Sequence, residues 1–85
     1  MGVTAQVSLY PLRQVSLGPA IEEALEAFGK RGLQVEPGTM STVIAGDSPA
    51  VFAALEEAFA RAAGRGHVVM VVTLSNACPV PGQAI

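Results

Sequence analysis

At 85 residues the chain has the length of one domain. It is 51% hydrophobic and 14% charged, with a formal charge of −2 and only five Lys and Arg, one His and one Cys. Scattered basic residues make no nucleic-acid stripe, one cysteine closes no intrachain disulfide, and one His with one Cys makes no metal cluster. No apolar run approaches the roughly 18 residues of a membrane span. No signal peptide is expected, and cytoplasm is the expected location.

A domain this short buries a modest core and leans on disulfides, metals or association. Association is the helper left over. A charged fraction of 14%, against roughly 25% in ordinary soluble domains, also points to a surface covered by another subunit.

Val3, Ala5, Val7 and Leu9 alternate with Thr4, Gln6, Ser8 and Tyr10, the period of a half-buried strand, and Pro11 lies near its end. Gly18-Pro19 opens a helix, because proline in the first turn gives up only an N–H that would lack a partner anyway. Leu17, Ile21, Ala24, Leu25 and Phe28 make its apolar face. Glu22, Glu23 and Glu26 come early and Lys30 and Arg31 late, which suits the helix dipole, and Gly32 is the stop. Leu33 to Glu36 and Met40 to Ala45 read as a hairpin turning at Pro37-Gly38. Ser48 as N-cap with Pro49 behind it opens a second helix. Its apolar stripe is Val51, Phe52, Leu55, Phe59 and Ala62, and Glu57 with Arg61 forms an i,i+4 pair. Gly64 and Gly66 end it. Val68 to Val72 is a strand continuing through Leu74, and Pro79, Pro81 and Gly82 make the tail irregular.

The order β-α-β-β-α-β predicts an α+β ferredoxin-like sandwich. Its antiparallel four-stranded sheet has the order 4-1-3-2, with two helices on one face. Residues 1–79 form the domain and 80–85 the tail. The run from Val68 to Val72 leaves Val69 and Val71 on the helix-free face, an apolar patch of the kind that marks an interface. A homo-oligomer through that face, the edge of the fourth strand, or both is expected. The alternative is a tail folded back over the face.

Signals for catalysis are weak. His67 reads as a solvated or packed imidazole. Cys78 has no base or helix N-terminus nearby to lower its pKa. The helix carboxylates read as solvated charge, and Asp47 as an aid to helix initiation. The chain has no P-loop and no G-x-G-x-x-G. No catalytic residue, metal or cofactor is expected. Ser8, Tyr10, Thr39, Ser41, Thr42, Ser75 and Asn76 are neutral hydrogen-bonding groups on or near central strands. They suit an uncharged polar heterocycle stacked on the phenol ring, or they simply populate a solvated face. They suit a phosphate poorly, since Arg13 is the one cation close in sequence.

Three blocks carry a resemblance. They are Ala5-Gln6-Val7-Ser8-Leu9-Tyr10-Pro11-Leu12, Met40-Ser41-Thr42-Val43-Ile44-Ala45-Gly46-Asp47 and Val69-Met70-Val71-Val72-Thr73-Leu74-Ser75-Asn76-Ala77-Cys78-Pro79. Together they are similar to the thiamine/hydroxymethylpyrimidine-binding family of the YkoF type, from Val3 to about Pro79. The resemblance implies non-catalytic binding of thiamine or its hydroxymethylpyrimidine precursor. Larger relatives carry two such domains in tandem, so association of separate chains is the expected substitute here. The implied ligand contacts are Ser8 and Tyr10 from the first block, Ser41 and Thr42 from the second and Asn76 from the third, with Met40 as an apolar wall. Asn76 can both donate to and accept from an aminopyrimidine. The alternatives are a protein-interaction or regulatory subunit, or more remotely a small acylphosphatase-like enzyme. For the latter, Pro11-Leu12-Arg13-Gln14-Val15 holds an arginine but lacks the glycines of an anion loop.

Overall fold

Alternation in the first strand orients the whole sheet. A computed structural model of the chain describes residues 1–12 and 18–77. The expectations for Arg13, Leu17, Cys78, Pro79 and the 80–85 tail fall outside these residues. The elements are β1 (Gly2–Leu12), α1 (Gly18–Gly29), β2 (Gln34–Pro37), β3 (Thr42–Asp47), α2 (Ser48–Ala63) and β4 (His67–Ser75). The sheet order is β2-β3-β1-β4, which is the expected 4-1-3-2 read from the other edge, and every pairing is antiparallel.

Val3, Ala5 and Val7 of β1 and Ile44 of β3 pack with Ala24, Ala27 and Phe28 of α1 and with Val51, Ala54 and Ala58 of α2. Both helices therefore cover one face. Beyond Val7, β1 pairs with β4 alone. A strand paired on one side tolerates Pro11, which has no N–H to donate. Gly32 takes a φ of 73° in the turn after α1, a left-handed conformation that glycine adopts without a Cβ penalty.

The buried helix faces differ from the expected ones. Among the described residues, eight of the thirteen buried apolar residues are alanines. Ala20, Ala24 and Ala27 line α1, and Ala54, Ala58 and Ala62 line α2. Ile21, Phe52 and Phe59, placed in the apolar stripes by their hydrophobicity, are instead exposed at 43%, 56% and 44%. Leu25 and Leu55 sit at the margin of the core, partly buried. The separation of packed elements depends on the side chains between them. Alanines fill most of that contact, Phe28 is the one ring enclosed in it among the described residues, and Phe52 and Phe59 lie at its flank.

Two boundaries also shift. Asp47, not Ser48, is the N-cap of α2, with extended φ and ψ of −71° and 141° and no side-chain capping bond. Its carboxylate meets the Met1 amine at 3.2 Å, while Ser48 N–H donates to the Met1 carbonyl at 2.8 Å. The hairpin turn spans residues 38–41, closed by Gly38 N–H donating to the Ser41 carbonyl at 2.8 Å.

An ion-pair network ties the helices together. Glu57 of α2 meets Lys30 at 2.7 Å, Arg31 at 2.7 Å and Arg61 at 3.4 Å. Arg65 grips both oxygens of Glu23, at 2.9 and 3.0 Å. Hydrogen bonds from Lys30 and then Arg31 hold the Glu57 carboxyl down to about 2 from an ordinary 4.5. The Arg65 hydrogen bond likewise lowers Glu23. Among the described residues, no helix is long and apolar enough to cross a membrane.

Two outcomes follow from this packing. Ala58→Leu forces a larger side chain into a site with 0% exposure, and overpacking of this kind costs about 1–3 kcal/mol. Urea titration should show a lower midpoint, whereas Ala53→Leu on the exposed side of α2 should leave it nearly unchanged. The second outcome concerns pH. The folded-state values of Glu57 and Glu23 lie below 4.5, so their stabilisation is complete above the unfolded value and is lost as pH falls through the folded one. The melting temperature should fall on acidification from about 4.5 toward about 2, and Glu57→Gln should melt lower at neutral pH and show a shallower acid decline.

Candidate functional site

The strand register leaves a gap at one end of the sheet. β3 pairs with β1 only as far as Val7, while β4 stays paired with β1 to Leu12. A cavity of about 300 Å³ occupies this end, between the last third of β1 and α1. That volume is at the lower end of the usual range for small-molecule pockets, roughly 300–1,000 Å³.

Its walls are apolar. Val7 and Leu9 are two residues apart on β1 and so share a face. Met70 is the register partner of Leu9 on β4 and joins the same wall. Ile21, Ala24, Leu25 and Phe28 come from α1, three and four residues apart on one side of the helix. The remaining border is the stretch from Gly38 to Thr42, which includes the hydroxyl-bearing residues Thr39, Ser41 and Thr42. Gly38 is required in that turn, because a Cβ there would sit 2.7 Å from the Ser41 carbonyl oxygen. Tyr10 also borders this end, at a strand position that alternates with Leu9 and shares the side of Ser8.

Of the six residues expected to contact a ligand, the structure brings four together. Tyr10, Met40, Ser41 and Thr42 all line the cavity. Met40 is 84% exposed, an apolar side chain projecting from the turn. Ser41 Oγ accepts a hydrogen bond from Gln6 Nε2 at 3.1 Å, which leaves its own O–H able to donate. Ser8 lies elsewhere. It faces Val71 across the β1–β4 ladder, on the helix-free side, and does not line the cavity. Asn76 is also separate. Tyr10 pairs with Val69, while Thr4 pairs with Ser75, the neighbour of Asn76. Seven residues of strand separate Val69 from Asn76, roughly 23 Å. Asn76 Nδ2 instead donates to Met1 Sδ at 3.7 Å, near the Met1–Asp47 pair.

The expected neutral polar hollow on the sheet is thus a mostly apolar hollow between sheet and helix, with hydroxyl-bearing residues along one border. Val7, Leu9, Ile21, Ala24, Leu25, Phe28 and Met70 are the lining residues that the polar cluster did not reveal. The available signal was the apolar face of α1 itself, which runs past the end of the β1–β3 ladder.

Electrostatically the cavity is quiet. Among the described residues its lining includes no carboxylate, ammonium, guanidinium or imidazole. The cations Lys30, Arg31, Arg61 and Arg65 are all engaged by carboxylates on the helices. Such a site can enclose a flat ring, exclude water around it and hydrogen-bond one edge.

Comparison with known proteins gives a consistent picture. Residues 2–81 match the YKOF-related family. The UPF0045 protein MJ1052 of Methanocaldococcus jannaschii is 39% identical over 57 residues, which are 66% of this chain and 57% of that protein. The matched stretch therefore spans little more than half of that relative. In three dimensions the crystal structure of MJ1052 superposes with a TM-score of 0.80 at 31% identity, covering 88% of this chain and 79% of that one. A domain of unknown function, DUF77, from Bacillus cereus superposes with a TM-score of 0.80 at 17% identity, covering 100% and 82%. A proposed thiamine biosynthesis/salvage protein of Thermotoga maritima gives 0.75 at 18% identity, covering 87% and 82%. At 17% and 18% identity these last two likenesses show a shared fold.

Proposed function

This chain belongs to the YKOF-related family, and from that premise we propose that it binds thiamine or its hydroxymethylpyrimidine precursor without transforming it. The observation that carries the reading is the cavity of about 300 Å³, with apolar walls and the hydroxyl-bearing residues Thr39, Ser41 and Thr42 along one border. An aminopyrimidine matches that division. Its ring faces are apolar and flat, while its amino group and ring nitrogens seek donors and acceptors at one edge. Hydroxyls serve either need, because each can donate and accept. The small volume favours the single-ring pyrimidine over two-ring thiamine. The absence of a lining carboxylate among the described residues leaves a thiazolium cation uncompensated and points the same way. The structural neighbour from Thermotoga maritima, named for thiamine biosynthesis or salvage, supports the ligand class. Alkyl, aromatic and hydroxyl groups position a ligand rather than move protons near neutral pH, so the proposed role is carriage or buffering.

A thermal-shift titration tests this. Ligand that favours the folded state raises apparent stability, so hydroxymethylpyrimidine at millimolar concentration should raise the melting temperature more than thiamine does. Thr42→Val removes one hydroxyl with little change of shape. A lost hydrogen bond of roughly 1 kcal/mol should weaken binding about fivefold to tenfold. Ser8→Ala and Asn76→Ala should bind as the parent does. A flat response to both compounds would sink the proposal, as would loss of binding in Asn76→Ala with Thr42→Val unaffected.

A further inference from the structure

Two of the chain's three methionines border the cavity, and they come from different elements. Met70 sits in the β4 wall as the register partner of Leu9 and is partly buried. Met40 belongs to the turn at residues 38–41 and is 84% exposed. Turns ordinarily carry Gly, Pro, Asn, Asp or Ser, and this one does hold Gly38 and Ser41. The large apolar side chain beside them gains little from the fold, because most of its surface stays in water. It lies where an occupant of the cavity would cover it.

We propose that Met40 caps the occupied cavity and is a site of oxidative modification, where a hydroperoxide converts the thioether to a sulfoxide and loosens the ligand. This rests on the ligand reading above. The backbone of the turn is held in place. Gly38 N–H donates to the Ser41 carbonyl at 2.8 Å, and Gln6 Nε2 of β1 donates to Ser41 Oγ at 3.1 Å. Closure therefore falls to the side chain alone. Methionine is long and unbranched, and its polarisable sulfur packs favourably against aromatic rings. A change of rotamer brings the thioether onto a flat ring held between α1 and the Leu9–Met70 wall. Ring and thioether then shield each other from water.

Oxidation reverses that preference. The sulfur attacks one oxygen of the hydroperoxide, and the O–O bond breaks as the S–O bond forms. Sulfur gives up an electron pair, and the peroxide is reduced. The proton of the transferred oxygen passes to the departing one, which leaves as water or an alcohol. The sulfoxide is polar and chiral. It keeps its water rather than cover an apolar ring face, so the cap stays open. Exposure sets the order of reaction, with Met40 ahead of the partly buried Met70. Met1 is 71% exposed and reacts as well. It lies beside Asp47 at the other end of β1 and does not line the cavity.

Calorimetric titration of the full chain with hydroxymethylpyrimidine, before and after brief hydrogen peroxide treatment, tests this. Peptide mass spectrometry reads which sulfurs have gained oxygen. Met40 should be oxidised before Met70. Binding should then weaken at least as much as in Met40→Ala, roughly twofold to tenfold. Met40→Leu keeps an apolar cap without sulfur, so its binding should withstand the treatment although Met1 and Cys78 remain oxidisable. The melting temperature of the unliganded protein should not move, since Met40 contributes little to the core. A matching loss of stability would mean general damage and overturn the inference. So would oxidation of Met70 ahead of Met40, or a Met40→Leu variant as sensitive as the parent. Untreated protein that binds no pyrimidine sinks the ligand reading and this inference with it, whereas binding undiminished by oxidation of Met40 sinks this inference alone.

Discussion

The rest of the structure depends on how closely the two helices lie on the sheet. Ala20, Ala24, Ala27, Ala54, Ala58 and Ala62 bring methyl groups to the contacts between layers, where Phe28 is the one ring among the described residues. Close approach gains dispersion contacts along the whole length of both helices. It also dictates where large side chains can go. Phe28, Ile44 and Val51 are the largest that remain fully enclosed. The other bulky residues occupy the places where the layers diverge, at the end of the sheet and along the outer side of α2.

The cavity and the exposed β4 flank both arise from that displacement. At one end, the β1–β3 ladder stops at Val7 while α1 continues overhead, so Leu9, Leu25, Phe28 and Met70 surround space rather than one another. Along the β4 flank, the exposed Phe52 and Phe59 stand beside an apolar strand edge. The cavity and the flank are two consequences of one packing rule. Met70 connects them, since its strand forms the edge while its side chain lines the cavity.

The strand layout was legible in the amino-acid pattern. Strict alternation from Val3 to Tyr10 sets which face of β1 is buried, and the element order sets the pairing. The unbroken apolar run of β4 correctly places Val69 and Val71 outward. The helix faces were not legible, because a hydrophobicity pattern ranks phenylalanine above alanine while interlayer distance reverses the ranking. Phe52 and Phe59 fit the helical period as well as Ala54 and Ala58 do, and nothing local to the sequence reveals how near the sheet will be. The site was half legible. Tyr10, Met40, Ser41 and Thr42 converge because the turn at residues 38–41 lies beside the end of β1. Antiparallel pairing already separates Asn76 from Tyr10. Its place among the candidates rests on resemblance, which transfers residue types without transferring distances.

The segregation of charge has a consequence of its own. Every Lys, Arg, Asp and Glu among the described residues lies on or beside the helices, on β2, or at the end of β3, so the molecule is amphiphilic across its thickness. Hydration is delegated to one layer. The helices present a network of ion pairs to water, and β1 and β4 carry no Asp, Glu, Lys or Arg. Substitutions on the outer helix surface therefore alter the charge that the molecule shows to water without touching the hollow, while substitutions at Leu9 or Met70 change its wall.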